Sequence, residues 1–280
     1  IVCDIQWYEP KAKSNDYNNF TELNTDEYGR LMPAENRFPS AGNGKGFKEI
    51  ADYCHSLGLK FGIHIMRGVP RCAVHANLPI KNSAFTCREI AHHFSVCSWN
   101  TDMYGCKNTS AAQEYYNSIF ELYAAWGVDF IKCDDICVTE FRQWDNPYSA
   151  DYEIEMIRKA IDNCGRDMVL SLSPGPAHID NADHLSKNAN MWRMTGDFWD
   201  QWDKLYDMFS RCYTWQNYVG SGRWPDCDML PLGRLSKNAP CHGNADRYTN
   251  FTKPEQITMM TLWGIFRSPL MFGGNMPEND

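Results

Sequence analysis

The sequence has no CxxC pair, no clustered histidines, no long apolar run and no low-complexity segment. Each absence excludes something. Without CxxC pairs, and with only 8 scattered His, neither a structural zinc site nor a histidine-rich metal hydrolase is expected. No stretch approaches the roughly 20 apolar residues of a membrane-spanning helix. Positive charge is also short: 27 Lys and Arg against 35 Asp and Glu leave a formal net charge of -8. Nucleic acid and anionic membrane surfaces are poor partners for such a chain, so no nucleic-acid partner and no membrane insertion are expected. No motif calls for a cofactor or a metal.

What is present is a globular composition with many rings. Of 280 residues, 43% are hydrophobic and 22% charged, with 10 Trp, 14 Tyr and 14 Phe. Sugar-binding clefts use such rings, although most rings in any protein are core. The 12 cysteines exceed the needs of a reducing compartment and fall far short of a disulfide mini-protein. With sequons at Asn19, Asn108 and Asn250, they favour an extracellular or periplasmic location. "IVCDIQWYEP" opens directly in a strand-like run and "PLMFGGNMPEND" stops just after one. The expectation is a piece of a longer or processed chain.

One pattern recurs along the chain. A helix-like segment ends at Gly, two residues follow, and an apolar strand begins: "SLGLKFGIHI", "AWGVDFIKCD" and "NCGRDMVLSLSP". Gly58, Gly127 and Gly165 fall where a helix C-terminus wants a left-handed residue. Before them lie amphipathic faces: Phe47, Ile50, Cys54 and Leu57; Tyr115, Ile119, Leu122 and Trp126; Ile154, Ile157 and Ile161. This alternation predicts βα units and a parallel sheet. Strands are expected near 1–6, 60–65, 129–134, 168–173, 191–195, 223–229 and 268–272, with long insertions at 7–45 and 66–110. Seven parallel strands suit an open sheet or a (β/α)8 barrel lacking one strand, in a single domain over 1–280.

The predicted strands end in charge. Asp4 closes the first, Lys132 and Asp134 the third, Arg193 and Asp197 bracket "RMTGD", and Asp226 and Asp228 lie in "GRWPDCDML". Each Asp alone would serve as a helix cap. Four strand ends, two of them with a cation, point instead to the C-terminal face where barrel enzymes build active sites. Strand alternation turns Lys132 and Asp134 the same way. Asp135 lies off that parity, and a cap or loop role is expected for it. His64 is equally well read as a satisfied polar residue in the barrel mouth or as a substrate contact. The His92–His93 pair is expected in a loop or helix far from the strand ends, and "FGGN" at 272–275 is a faint candidate anion loop. Two carboxylates facing one cleft indicate glycoside hydrolysis. Lys132 favours an ionised Asp134, as a nucleophile requires, and Asp197 is left as the acid.

These segments carry a resemblance. "WGVDFIKCDD" resembles the Lys-x-Asp nucleophile strand of the α-galactosidase and α-N-acetylgalactosaminidase family, glycoside hydrolase family twenty-seven. "WRMTGD" is similar to its acid/base segment, "GRWPDCDML" to its Gly-x-Trp-x-Asp-x-Asp-Met-Leu segment, "SPLMFGG" to its last barrel strand, and "DIQW" to an Asp-Asp-x-Trp motif. The motifs follow family order from residue 1 to about 274. The resemblance implies a (β/α)8 TIM barrel and a retaining glycosidase acting on terminal α-galactosyl or related sugars, with an oligosaccharide or glycoside as partner. It implies Asp134 as nucleophile and Asp197 as acid/base, with Asp4, Trp7, His64, Lys132, Arg193 and Asp228 binding substrate; His64 stands where the family usually has Tyr. It further implies that the first strand, the last helix and a C-terminal β-sandwich lie outside these residues. A barrel without its first strand exposes ladder edges, so residues 1–280 alone are expected to be inactive or prone to aggregate. A Cys72–Cys137 disulfide is implied as well, one residue out of the family's register.

Two departures bear on the sugar. Ile5 replaces the second Asp of the motif that holds the 4- and 6-hydroxyls, and "SLSPGP" at 171–176 stands where α-galactosidases have Cys-Glu-Trp. Related members acting on β-L-arabinopyranosides or isomalto-glucans therefore stay open. A non-catalytic sugar-binding barrel would lack an acid at 134 or 197, and both are present.

Overall fold

The computed structural model describes residues 1–13, 17–136, 151–236 and 245–279. They form two compact units, one running to Ser173 and one from Pro174, which also takes Lys13.

In chain order the first unit carries β1 (Val2–Cys3), α1 (Lys48–Ser56), β2 (Gly62–Met66), β3 (Val69–Pro70), α2 (Arg71–Ala76), α3 (Cys87–Ile90), β4 (Ala91–Val96), β5 (Met103–Cys106), α4 (Ser110–Trp126), β6 (Phe130–Asp134), α5 (Asp151–Asn163) and β7 (Val169–Ser173). β1, β2, β6 and β7 form a parallel ladder in that order. Its register sets Lys132 between His64 and Ser171, and Asp134 between Met66 and Ser173. Gly58, Gly127 and Gly165 take φ of 74°, 83° and 77°, the left-handed turns that end helices and feed strands. The amphipathic faces are buried at Phe47, Cys54, Tyr115, Ile119, Trp126, Ile154, Ile157 and Ile161. Leu57 is a correction, 57% exposed: α1 ends at Ser56, so the helical phase no longer applies to it.

An aromatic cluster fixes the first strand against the helices. Trp7 lies 5.2 Å from Phe47, which lies 5.5 Å from Phe61 and 5.7 Å from Trp126. Gly46 makes this possible, because a Cβ there would sit 2.0 Å from the Trp126 ring. Truncating a ring so fully buried costs about 3–5 kcal/mol.

Two sequence expectations change here. The strand expected over 1–6 stops at Cys3, since Gln6 has a φ of 60° that no strand accommodates. The insertion at 66–110 holds an antiparallel sheet in the order β3-β5-β4. His92 and His93 therefore lie in a strand, neither loop nor helix; pairing with β5 decides this, a contact their own sequence does not display.

The second unit carries α6 (Ala182–Asn188), β8 (Met191–Arg193), α7 (Trp202–Trp215), β9 (Trp224–Asp226), β10 (Met229–Leu230), β11 (Arg234–Leu235), β12 (Arg247–Tyr248), α8 (Lys253–Phe266) and β13 (Met271–Phe272). β8 pairs with β9, and β10 with β13, both in parallel; β11 and β12 pair antiparallel. The run expected over 223–229 breaks at Asp228, whose φ is 74°. The strand expected from 268 begins at Met271, after Pro269, which has no N–H for a ladder.

Candidate active site

Strand β6 sorts its own side chains. Ile131 and Cys133 are fully buried, while Phe130, Lys132 and Asp134 are partly open. Lys132 and Asp134 thus share a face, as the alternation predicted. Asp134 has 19% of its side chain exposed, and both of its oxygens are held. Oδ2 lies 3.2 Å from His64 Nε2, and Oδ1 accepts the Asp135 N–H at 2.8 Å. Desolvation alone would raise its pKa. The His64 hydrogen bond, the charges of His64 and Lys132 and the Asp135 N–H together hold it below the ordinary carboxylate range. Such a carboxylate is ionised at neutral pH, the form a nucleophile needs.

Asp4 stands across from Lys132, with Nζ 3.5 Å from Oδ1 and 66% of the Asp4 side chain exposed. Desolvation again opposes the shift, and Lys132 and His64 lower the Asp4 pKa despite it. At this exposure solvent screens much of the pairing, so its strength is small. The group is an open acceptor beside a cation, suited to a hydroxyl of a polar ligand.

The other predicted residues of this unit are further from solvent. His64 is 1% exposed and spends Nε2 on Asp134. Trp7 is fully buried within the aromatic cluster, and its indole N–H donates to the His64 carbonyl at 2.7 Å. The structure brings Trp7 to the strand that carries His64, not to an open surface. Asp135 is more than a cap: its carboxylate lies 3.2 Å from the buried Arg67, a residue that sequence reasoning passed over. Only the lone Arg directly after an apolar strand signalled it.

In the second unit Arg193 sits at the end of β8 and joins two acids. Its Nη2 donates to Asp197 Oδ1 at 2.8 Å, and its Nε is 3.6 Å from Asp228 Oδ1. Asp197 is open, with 58% of its side chain exposed. Asp228 is enclosed: it accepts from Phe198 N–H at 2.8 Å, and its own N–H donates to Asp226 Oδ1 at 2.9 Å. The left-handed turn at Asp228 brings those bonds together. Cys72 carries a free thiol, and Cys137 lies outside the described residues. Among the described residues no group of three or more His, Cys, Asp or Glu is placed to hold a metal ion, and no helix is long and apolar enough to cross a membrane.

Each unit thus sets carboxylates beside basic side chains at or just after the C-terminal ends of its parallel strands. Residues 95–278 match the Melibiase_2 family, described as alpha galactosidase A, and the chain belongs to that family, with its (β/α)8 TIM-barrel fold. A solved family-twenty-seven β-L-arabinopyranosidase of Geobacillus stearothermophilus is 60% identical, with a TM-score of 0.95 and coverage of 100% of this chain and 63% of that one. Alpha-galactosidase 2 of Arabidopsis thaliana is 26% identical over 92% of this chain and 50% of its own length. The alpha-N-acetylgalactosaminidase of Gallus gallus is 24% identical over 90% of this chain and 50% of its own. The chain spans about half the length of the curated relatives it matches.

Proposed function

We propose that this chain is the catalytic domain of a retaining glycoside hydrolase that releases terminal β-L-arabinopyranosyl groups and, more slowly, α-D-galactosyl groups. Asp134 attacks the anomeric carbon as its aglycone oxygen takes a proton from Asp197, giving a glycosyl ester on Asp134. Water, deprotonated by the Asp197 carboxylate, then attacks the same carbon and frees Asp134. Asp4, Lys132, Arg193 and Asp228 hold the ring hydroxyls, and His64 orients Asp134. A glycoside is the partner, and no step calls for a cofactor.

Ile5 carries the choice of sugar. The two sugars share ring configuration and differ only in the hydroxymethyl group at C5. An acid at position 5 would bind that group, whereas Ile5, half-buried beside Asp4, offers it no hydrogen bond. An apolar site of this kind disfavours the sugar with the extra hydroxyl by up to about 10²-fold, so the galactoside is slowed and not excluded. The 60% identity to an arabinopyranosidase supports the same choice. An exported location goes with this reading, since Asn19, Asn108 and Asn250 are all exposed.

A panel of nitrophenyl glycosides on the full-length protein tests the reading. The β-L-arabinopyranoside is expected to turn over fastest, with net retention at the anomeric carbon by NMR. An inverted product, or no turnover of either sugar, overturns it.

A further inference from the structure

The first unit contains a buried ionic network that the chemistry above leaves unused. Arg67 follows β2 directly, and 3% of its side chain is exposed. Its guanidinium serves three acceptors. Nη2 lies 3.2 Å from Asp135 Oδ2, Nη1 lies 3.1 Å from Glu153 Oε1, and Nε donates to the main-chain carbonyl of Asp135. Glu153, on α5 and equally buried, also accepts from the Tyr116 hydroxyl of α4, which itself accepts the Gly68 N–H at 2.9 Å. Space for the guanidinium is built in: a Cβ on Gly105 would sit 2.2 Å from Arg67 Nη1. Elements from four parts of the unit meet at one cation, whose grip ends on the residue next to Asp134.

That residue is in an unusual conformation. Asp135 has a φ of 53°, a left-handed turn that disfavours any residue with a Cβ, Asp and Asn least. The turn points the Asp135 N–H at Asp134 Oδ1.

We propose that Arg67 is a positioning residue for Asp134: by holding both the carboxylate and the carbonyl of Asp135, it maintains the turn that fixes Oδ1, while His64 fixes Oδ2. The plane of the carboxylate is thereby set before a sugar arrives. The inference rests on Asp134 being the nucleophile. A buried ion pair with only a structural role would need a cation at 67 and nothing more, whereas positioning needs the planar fork of Arg, which Lys lacks.

The test uses Arg67→Lys in the full-length enzyme, which keeps a cation beside Glu153. Its kcat is expected to fall about tenfold or more with KM within about twofold, since small misplacements of a reacting group cost rate and not binding. Adding Asp135→Gly, which adopts the turn without strain, is expected to recover several-fold of that loss. Should Arg67→Lys not fold, Asp135→Ala takes its place with the Arg67–Glu153 pair intact and the same kcat loss expected. Crystal structures of parent and variant read the geometry without turnover, and the bond from Asp135 N–H to Asp134 Oδ1 is expected to be lost in the variant. A parent that hydrolyses no glycoside overturns the proposed function and the catalytic meaning of this role, while loss of that bond in the variant still supports Arg67 as the group that fixes the Asp134 carboxylate. A folded variant with parental kcat and an unmoved Asp134, or one losing affinity and kcat in step, overturns the positioning role.

Discussion

Strand β6 has an aspartate at each end, Asp129 just before its first residue and Asp134 as its last, and both carboxyls are held below the ordinary range. The partners differ in kind. At Asp129 desolvation is outweighed by the Phe61 N–H at 2.9 Å, His55 at 2.7 Å and Arg166 at 2.6 Å, which bring its pKa down to about 2. Lys60 completes the shell at 3.6 Å, and 9% of the side chain remains exposed. Every direction is taken by the fold itself. At Asp134 His64 and one N–H fix the carboxylate, and 19% of the side chain stays open. A depressed pKa therefore marks a paired carboxylate and not a catalytic one. Position decides: the N-terminal end of a barrel strand carries stability, and the C-terminal end carries chemistry.

The largest expected effect separates the two ends directly. Asp134→Asn is expected to lower turnover of every substrate by roughly 10⁴-fold or more, because no glycosyl ester can form. Asp129→Asn is expected to leave turnover per folded molecule within about twofold. Equal losses in steady-state assays corrected for folded fraction would remove the distinction.

In the second unit, Asp197→Ala sharpens the proposed contrast between nucleophile and acid. A loss of about 10²–10⁴-fold is expected on alkyl glycosides and much less at the first step on nitrophenyl glycosides, which need little protonation. Azide is expected to restore the second step. Identical leaving-group dependence in Asp134→Ala and Asp197→Ala would refute the two roles.

A smaller effect concerns the sugar. Ile5→Asp is expected to shift the ratio of kcat/KM values toward the α-galactoside by about tenfold or more. An unchanged ratio would detach Ile5 from recognition at C5.

The smallest effect belongs to the N-terminal end. A fall in the Asp129 pKa from an ordinary 3.8 to about 2 corresponds to about 2 kcal/mol of stability. Because the folded-state pKa is the lower one, this contribution is complete above the unfolded value, near 4, and is lost as pH falls toward 2. Urea titrations are expected to show Asp129→Asn less stable at pH 7 by that amount and the difference shrinking through pH 4 to 2. A gap that is constant with pH would mean that Asp129 does not act through its charge.

Much of this arrangement is local and so was legible in residues 1–280. Gly127 ends α4 because only a left-handed residue closes that helix, and the apolar run behind it fixes where β6 lies. The two-residue period of β6 then puts Lys132 and Asp134 on one face whatever surrounds them. The family motifs single out the same residues at those strand ends. Pairings between distant segments were not legible. His92 and His93 became strand because β5 lay beside them, and Trp7 was taken into the core by Phe47 and Trp126. Arg67 and Glu153 are 86 positions apart, and neither sequence neighbourhood announces the other. Short-range periodicity and side-chain chemistry are enough to set the order of β and α units and to single out the candidate acids. Which acids are closed by the fold and which stay open was settled by long-range packing, because burial and partner geometry depend on what the rest of the chain brings to each strand end.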